Sequence, residues 1–266
     1  MKVVLFCGGL GTRLREYSET VPKPMVNISY RPIIWHLMRY YAHFGHTHFI
    51  LCLGYRGDLI KQYFLNYDEC LSNDFELSEG GKSIRLYARD IENWKITFAE
   101  TGLNANIGQR LKAVEQYIGD DPEFFANYSD GLTDLPLREY LDHFRRQKTI
   151  GSFLCVRPSQ SFHVVSLAGD GLVRDIRNTR NTDLWINGGF FVFKREIFNY
   201  IKEREDLVEE PFQRLIALQQ LTAYRHEGFW ACMDTFKDKQ AFDDMNARGD
   251  TPWAVWKSDG LPFSDA

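Results

Sequence analysis

The sequence predicts an α/β fold with a mostly parallel sheet, and three observations support this prediction. Strand-like and helix-like segments alternate through the first half of the chain, which is typical of a parallel sheet with helices on both faces. A glycine-rich turn follows the first apolar segment. From Thr149 the pattern changes to several strands with few helices, which predicts a mixed-sheet part that continues the first half.

Apolar periodicity and the positions of glycine and proline predict the individual elements. The predicted strands are 2–7, 47–53, 95–100, 123–128, 149–157, 162–168, 173–176, 185–193 and 221–226. The predicted helices are one that begins at Pro32, with His36 as a surface or interface side chain, and 60–71, 107–118, 194–202, 211–219 and 236–248. Residues 72–95 are expected to form an excursion with a hairpin that contacts another subunit, and residues 257–266 a mobile tail.

Composition narrows the class of protein. A chain of 266 residues can bury a large core, and a net charge of -4 gives none of the concentrated positive charge that nucleic-acid binders carry. The first apolar run ends at Gly8, so the run is too short to be a signal peptide or a membrane span. The five cysteines are scattered and form no CxxC pair, which favours reduced thiols and a cytoplasmic location.

The turn after the first strand predicts a phosphate-binding loop. Three glycines within four positions, Gly8, Gly9 and Gly11, let several backbone N–H groups point one way, and Arg13 adds a guanidinium that matches phosphate oxygens. Lys23 lies between two prolines that restrict its backbone. Neither a dinucleotide-binding fingerprint nor a Walker loop fits the spacing. An ordinary glycine-rich turn remains the alternative. Arg13 and Lys23 argue against it, because two cations close together repel each other unless an anion lies between them.

Two acidic residues are candidates for binding a metal ion. Asp130, in Ser129-Asp130-Gly131, comes directly after a strand whose carboxyl end should share an edge with the Gly8 loop. A carboxylate beside phosphates needs a cation between them, and carboxylate oxygens suit Mg²⁺. Asp–Gly is also a common turn, so a purely structural role remains open. Asp234 follows a short aromatic segment and supplies a second carboxylate.

These motifs resemble those of the sugar-phosphate nucleotidyltransferases. Within that family, the resemblance is strongest to the glucose-1-phosphate cytidylyltransferases. The resemblance extends over nearly the whole chain. Its blocks are Gly8-Gly9-Leu10-Gly11-Thr12-Arg13-Leu14, Pro22-Lys23-Pro24-Met25-Val26, Gly54-Tyr55-Arg56-Gly57, Gly108-Gln109-Arg110-Leu111-Lys112, Ser129-Asp130-Gly131, Ile186-Asn187-Gly188-Gly189-Phe190-Phe191 and Met233-Asp234-Thr235.

The resemblance implies a Rossmann-like, GT-A-like three-layer fold and a Mg²⁺-dependent transfer of a cytidylyl group from CTP to a sugar 1-phosphate. Residues 1–256 would form one domain, with a nucleotide-binding half to about 148 and an acceptor-binding half from about 149. Arg13 and Lys23 would be catalytic, and Asp130 and Asp234 would hold the metal ion. The nucleotide would be bound by Gly8, Gly9, Gly11, Thr12, Arg13, Gly108 and Arg110. Relatives assemble into homo-oligomers, which is expected here too.

The acceptor side departs from the family pattern. Tyr128, Asn187 and Gly188 match family positions for the acceptor pocket. The family's Glu-Lys-Pro, whose Glu binds sugar hydroxyls and whose Lys binds the sugar phosphate, aligns with Asn178-Thr179-Arg180, so that Arg177 or Arg180 would have to serve the phosphate. His163 stands where relatives have glycine beside the sugar.

Three functions are therefore open at this point. The first is a cytidylyltransferase for glucose 1-phosphate or a related sugar phosphate. The second keeps CTP but uses a different phosphorylated or phosphonate acceptor, which His163 and Thr179 favour. The third is a non-catalytic nucleotide-binding regulatory protein, which the presence of Arg13, Lys23 and Asp130 argues against.

Overall fold

A computed structural model of the chain describes residues 1–9, 21–158, 162–179 and 182–257. The predicted tail therefore lies outside the described residues, apart from Lys257. The strands are β1 (Lys2–Phe6), β2 (Asn27–Ile28), β3 (Arg31–Pro32), β4 (His48–Leu53), β5 (Phe75–Ser78), β6 (Ser83–Leu86), β7 (Lys95–Glu100), β8 (Glu123–Asn127), β9 (Gly131–Thr133), β10 (Gly151–Val156), β11 (His163–Leu167), β12 (Val173–Asn178), β13 (Ile186–Lys194), β14 (Leu221–His226) and β15 (Trp230–Cys232). The α-helices are α1 (Ile33–His43), α2 (Gly57–Leu65), α3 (Ile107–Ala113), α4 (Glu115–Ile118), α5 (Leu137–Gln147), α6 (Glu210–Ala217) and α7 (Phe236–Ala247).

Seven strands form the central sheet in the order β14-β10-β13-β8-β1-β4-β7. Strands β8, β1, β4 and β7 run parallel to one another, as do β10 and β14, whereas β13 is antiparallel to both of its neighbours. The prediction of a mostly parallel sheet that continues into a mixed part is confirmed. The carboxyl ends of every strand but β13 therefore lie at one edge of the sheet, together with the amino end of β13, and this edge carries the candidate site.

The sheet has a buried core on each face. Val3 and Leu5 of β1 belong to the core beneath α1 and α5, and Val4 and Phe6 belong to the core beneath α3 and α6. Successive side chains of a strand point to opposite faces, so a strand that is apolar throughout must be covered on both sides. The layers are thus helix, sheet and helix, as predicted.

Several element boundaries differ from the predictions. Pro32 caps α1 instead of beginning it. The predicted helix 60–71 ends at Leu65, where Asn66 is the C-cap and its side chain donates to the carbonyl of Gln62, and a separate 3₁₀ turn follows at Glu69–Leu71. The predicted helix 107–118 is interrupted at Val114, which leaves α3 and α4. A 3₁₀ turn, Arg195–Asn199, replaces the helix predicted over 194–202.

The excursion that follows α2 contains the predicted hairpin, formed by β5 and β6. It is anchored by Arg31, which is only 3% exposed and donates to the Asp68 carbonyl at 2.6 Å and to the Ser72 hydroxyl at 2.5 Å. Leu77 and Ile84 on the hairpin are more than half exposed. Contact of this hairpin with another subunit stays a prediction.

His36 is buried, so the prediction of a surface or interface position is wrong. Its ring is 8% exposed and lies edge-on to the indole of Trp253, with centroids 6.3 Å apart. Trp35 and Trp256 also pack against it. The sequence did not show this because Trp253 and Trp256 come from the far end of the described chain. Burial lowers the pKa of His36 to about 4, although a hydrogen bond to the Ile28 carbonyl opposes that shift.

We expect the stability of the fold to decrease as the pH falls from about 6.5 to about 4, because the unfolded chain takes up a proton at His36 that the folded chain excludes. The stabilisation is complete above the unfolded pKa, and its loss at pH 4 is about 3 kcal/mol at most. Urea unfolding of wild type and of His36→Gln at pH 7 and pH 4.5 measures it. The difference between the two pH values should be smaller in the variant, and an equal difference would contradict the assignment.

The described part of the chain contains no helix that combines the length and the apolar character needed to cross a bilayer. All five cysteines are free thiols, in agreement with the expected reduced state. Cys7 and Cys52 are buried in the sheet.

Candidate functional site

A cavity of about 410 Å³ opens at the carboxyl ends of β1 and β8. Its volume is within the range of small-molecule sites. It is lined by Phe6, Cys7, Gly9, Lys23, Pro24, Ala105, Asn106, Ile107, Arg110, Tyr128, Ser129, Asp130, Asp206 and Asp234.

Three charged side chains meet in this cavity. The Lys23 ammonium lies 2.6 Å from Oδ2 of Asp130 and 2.5 Å from Oδ1 of Asp234. The side chains are between 16% and 25% exposed, so they can be reached from solvent but are largely desolvated. The structure therefore brings together the three residues to which catalysis and metal binding were assigned, although those roles stay predictions.

The fold holds each of these three residues in a specific way. Lys23 begins a 3₁₀ turn, Lys23–Met25, directly after Pro22. Asp130 follows Ser129, whose hydroxyl donates to the Phe6 carbonyl at 2.7 Å and so ties the end of β8 to β1. Asp234 is brought to Asp130 by the pairing of β9 with β15, which continues into a hydrogen bond from the Met233 N–H to the Asp130 carbonyl at 2.8 Å.

The close contacts shift the pKa values of the group. Burial alone would lower the pKa of Lys23, but the charges and hydrogen bonds of Asp130 and Asp234 outweigh burial and raise it. Burial raises the pKa of Asp130, and the Lys23 ammonium opposes that rise. The ammonium thus compensates two carboxylates that would otherwise repel each other across a desolvated space.

The two carboxylates are a suitable partial ligand set for Mg²⁺. Their oxygens converge on one cationic centre, the Lys23 ammonium, and hard oxygen donors are the ligands that Mg²⁺ prefers. Among the described residues no group of three or more His, Cys, Asp or Glu side chains could hold a metal ion. Mg²⁺ commonly uses one or two carboxylates and completes its shell with water and substrate phosphates, so two carboxylates are compatible with it.

Only part of the predicted phosphate loop can be located. Gly8 and Gly9 follow β1, and Gly9 lines the cavity. Gly11, Thr12 and Arg13 lie outside the described residues, so their predicted roles in nucleotide binding and catalysis stay predictions.

Arg110 lies beside this loop but is turned inward. Its side chain is 2% exposed, and its guanidinium donates to the Thr101 hydroxyl at 2.7 Å, to the Gly102 carbonyl at 2.9 Å and to the Gly8 carbonyl at 2.9 Å. Two further carbonyls, those of Leu53 and Leu103, accept from it as well. The buried guanidinium is thus satisfied by acceptors of the protein itself, and nucleotide binding by Arg110 stays a prediction. In this structure Arg110 fastens the ends of β1, β4 and β7 to one another.

Two glycines are required by close approaches of the protein itself. A Cβ on Gly8 would lie 2.0 Å from a nitrogen of the Arg110 guanidinium. A Cβ on Gly108 would lie 2.3 Å from the carbonyl oxygen of Glu205. Nucleotide binding by Gly108 stays a prediction. In the structure it permits the approach of the segment before α6.

Two of the predicted acceptor residues, Tyr128 directly after β8 and Asn187 on β13, are adjacent. The Asn187 amide donates to the Tyr128 hydroxyl at 3.3 Å, and Tyr128 lines the cavity. Gly188 is buried, and a Cβ there would lie 3.2 Å from the side chains of Leu154 and Trp230. The space beside Gly188 is therefore filled by protein.

His163, Asn178 and Thr179 belong to a different part of the molecule. His163 is exposed and lies opposite Asn178 in the two-stranded sheet of β11 and β12. Thr179, the residue after Asn178, is only 5% exposed. None of the three lines the cavity of about 410 Å³. Arg177 is 65% exposed and pairs with Asp175, and Arg180 lies outside the described residues. Their roles in acceptor binding stay predictions.

Two features of this edge were not predicted from the sequence. Asp206 lines the cavity, although its loop carries no motif that would indicate it. The guanidiniums of Arg157 and Arg225 lie 4.3 Å and 5.3 Å from the ring centroid of Trp185, on the sheet face that also carries Asn187. The alternation of side chains along β10, β13 and β14 could have suggested this group once the register was known.

Comparison with known proteins shows which family the chain resembles over most of its length. The family model described as Nucleotidyl transferase matches residues 2–239. The chain is 35% identical over 258 residues to the probable glucose-1-phosphate cytidylyltransferase of Bacillus subtilis (strain 168), with 96% of this chain and 100% of that protein covered. It is also 35% identical over 260 residues to the glucose-1-phosphate cytidylyltransferase of Salmonella typhimurium (strain LT2), with 97% and 100% covered.

A solved structure of UDP-glucose pyrophosphorylase complexed with UDP-glucose has the same fold. The TM-score is 0.68 at 14% identity, and the match covers 93% of this chain and 98% of that one. At this identity the likeness concerns the fold alone. Since the family model matches most of the sequence and two relatives are 35% identical over their whole lengths, the chain belongs to the nucleotidyl transferase family of enzymes.

Proposed function

We propose that this enzyme transfers a cytidylyl group from CTP to a sugar 1-phosphate, with glucose 1-phosphate as the first acceptor to test, and releases pyrophosphate. The observation that carries the proposal is the Lys23 ammonium between Asp130 and Asp234 in a cavity beside the glycine loop. The relatives named for CTP and glucose 1-phosphate support the choice of substrates.

The reaction makes one bond and breaks one. An oxygen of the acceptor phosphate attacks the α-phosphorus of CTP, and the bond from that phosphorus to the bridging oxygen of the β-phosphate breaks, so that pyrophosphate leaves with the electron pair. A phosphate monoester dianion is already a nucleophile, so no side chain has to remove a proton. Positioning and charge compensation are therefore the main tasks of the protein.

Lys23 compensates the negative charge that accumulates when two phosphorylated substrates approach each other. Its ammonium is held by two carboxylates and is thereby fixed in position, which limits the reorganisation needed during reaction. Asp130 and Asp234 would hold Mg²⁺, which when bound supplies charge neutralisation on the phosphate oxygens. Cavity residues such as Tyr128 would orient the substrates.

A pyrophosphate-release assay tests the proposal directly. The enzyme is incubated with Mg²⁺, one of CTP, UTP or dTTP, and one of a panel of sugar 1-phosphates, phosphorylated alcohols and phosphonates. The expected result is the highest kcat/KM with CTP and a sugar 1-phosphate. Release only with a phosphonate or another phosphorylated acceptor would support the alternative acceptor that His163 and Thr179 suggested. Preference for UTP or dTTP would contradict the choice of nucleotide.

Asp234→Asn is expected to raise the Mg²⁺ concentration needed for half-maximal activity by on the order of tenfold, because a neutral amide is a weaker ligand than a carboxylate. Calorimetric titration with Mn²⁺ measures the same loss independently of turnover. Asp243→Asn is the matched control, since this aspartate on α7 pairs with Lys239. Metal titrations of Asp234→Asn that coincide with those of wild type would remove Asp234 from the ligand set.

A further inference from the structure

The segment before α6 is held rigidly against the cavity. Arg214 of α6 donates to the Tyr200 carbonyl at 2.7 Å and forms a two-pronged ion pair with Glu205, one contact of which is 2.6 Å. The Glu205 carboxylate also accepts from the Lys202 N–H at 2.9 Å. Hydrogen bonds to Arg214 lower the pKa of Glu205 to about 2, so this carboxylate is charged at neutral pH.

The same segment packs on the first turn of α3. The carbonyl of Glu205 takes the space that a side chain at Gly108 would need, and the Asn106 amide donates to the Arg204 carbonyl at 3.0 Å. Asn106 also caps α3 and lines the cavity. The position of the next residue, Asp206, is therefore fixed relative to the cavity wall.

Asp206 presents a carboxylate to the cavity that the chain leaves partly unsatisfied. Its Oδ1 accepts from the Val208 N–H at 3.3 Å. Within the described residues Oδ2 has no hydrogen-bond donor, and no lysine or arginine lies within ion-pair distance. Asp130 and Asp234, the other two carboxylates in the cavity, are both paired with Lys23.

Asp206 is close enough to affect Tyr128 across the cavity. Burial, and then the negative charge of Asp206, raise the pKa of Tyr128 above its usual value. The Tyr128 hydroxyl also accepts a hydrogen bond from the Asn187 amide at 3.3 Å. Asp206, Asn106 and Tyr128 thus line the same cavity.

An uncompensated carboxylate repels phosphate, so it must face a part of the substrates that carries no charge. It accepts hydrogen bonds strongly, and the neutral donors of nucleotides and sugars are hydroxyl and amino groups. We propose that Asp206 binds hydroxyl groups of a sugar ring and thereby selects substrates that carry them. This proposal rests on the proposed function, in which two such rings are available, the ribose of CTP and the ring of the acceptor.

The test compares Asp206→Asn with wild type. Asparagine keeps an oxygen for the Val208 N–H, but the group that replaces Oδ2 is an NH₂, which cannot accept a hydroxyl proton. Loss of a hydrogen bond to a charged group predicts about a tenfold or larger rise in Kd and KM for the substrate bound by Asp206, with little change in Tm. Glu203→Gln is the matched control, because Glu203 is on the same segment and is 89% exposed.

Deoxy substrates then identify the ring. The probes are CTP, 2′-deoxy-CTP and 3′-deoxy-CTP, and glucose 1-phosphate with its 2-, 3-, 4- and 6-deoxy forms, each titrated by calorimetry. Wild type should bind one deoxy form more weakly than the parent substrate. Asp206→Asn should bind that deoxy form and the parent substrate equally well, because the hydrogen bond is already lost. If that deoxy form is one of the CTP analogues, Asp206 binds the ribose. If it is one of the glucose 1-phosphate analogues, Asp206 binds the acceptor ring. Equal affinities of wild type and Asp206→Asn for every probe that wild type binds would overturn the proposal.

The two proposals fail in different ways. Absence of pyrophosphate release by wild type with every nucleotide and acceptor in the panel would overturn the proposed function. The calorimetric titrations need no turnover, so equal binding by wild type and Asp206→Asn would overturn the role of Asp206 while the proposed function stands.

Discussion

Replacement of Lys23 by methionine is expected to lower kcat by on the order of 10² to 10³, while the chain still folds. Methionine has nearly the length of lysine but no charge. The variant therefore loses the ammonium that lies 2.6 Å from Asp130 and 2.5 Å from Asp234, while the surrounding apolar contacts are kept. The loss should appear in kcat, because the substrates' charges repel most strongly in the transition state.

The same variant makes a second prediction that does not depend on turnover. Without the ammonium, Asp130 and Asp234 repel each other, so Tm in the absence of divalent ions should fall, and Mg²⁺ should restore it more than it stabilises wild type. Lys61→Met is the control, since Lys61 pairs with Glu100 at 2.5 Å and is 39% exposed. Turnover by Lys23→Met above a tenth of the wild-type rate would exclude an essential role for this charge.

Arg110→Lys is expected to destabilise the fold by about 3 kcal/mol or more, because buried carbonyls lose a charged partner. Lysine keeps the charge but has a single ammonium, which cannot reach the carbonyls of Gly8, Gly102 and Leu103 and the hydroxyl of Thr101 together. The expected readouts are a lower urea midpoint and a lower Tm. Activity should fall as well, because Gly8 leads into the glycine loop.

This experiment also distinguishes the two roles considered for Arg110. If the guanidinium bound the nucleotide, Arg110→Lys would raise the KM for CTP and leave Tm nearly unchanged. If the guanidinium instead holds the strand ends together, the main effect of Arg110→Lys is a lower Tm. Arg89→Lys is the matched control, because Arg89 is 58% exposed and its partner is Glu92 at 3.9 Å. Its Tm should remain within the error of wild type.

Much of the fold could be predicted from the sequence because the signals are local. The apolar run of β1 and the alternation of strands and helices predicted the layers, and the change of pattern near Thr149 predicted the mixed part. Boundaries were less predictable. The residues at which helices end, such as Asn66 after α2, give no periodic signal.

The candidate site was less predictable, since its geometry depends on long-range pairing. Spacing alone could not bring Asp130 to Asp234, and that expectation came from the resemblance. The pairing that does so joins β9 to β15, two strands of three residues each, which are too short to be recognised by periodicity. Arg110 illustrates a second limit: residue type and helix position do not tell whether a guanidinium faces a ligand or the protein's own carbonyls.

The short ribbon of β9 and β15 also has a consequence for synthesis on the ribosome. Asp130 and Lys23 emerge early, together with most of the parallel strands, but their acidic counterpart at 234 is added only after β14 has been made. Strands β1, β4, β7 and β8 are therefore all synthesised before Asp234, the second acidic partner of Lys23. Residues of the candidate site are thus among the last to become available as the chain is made.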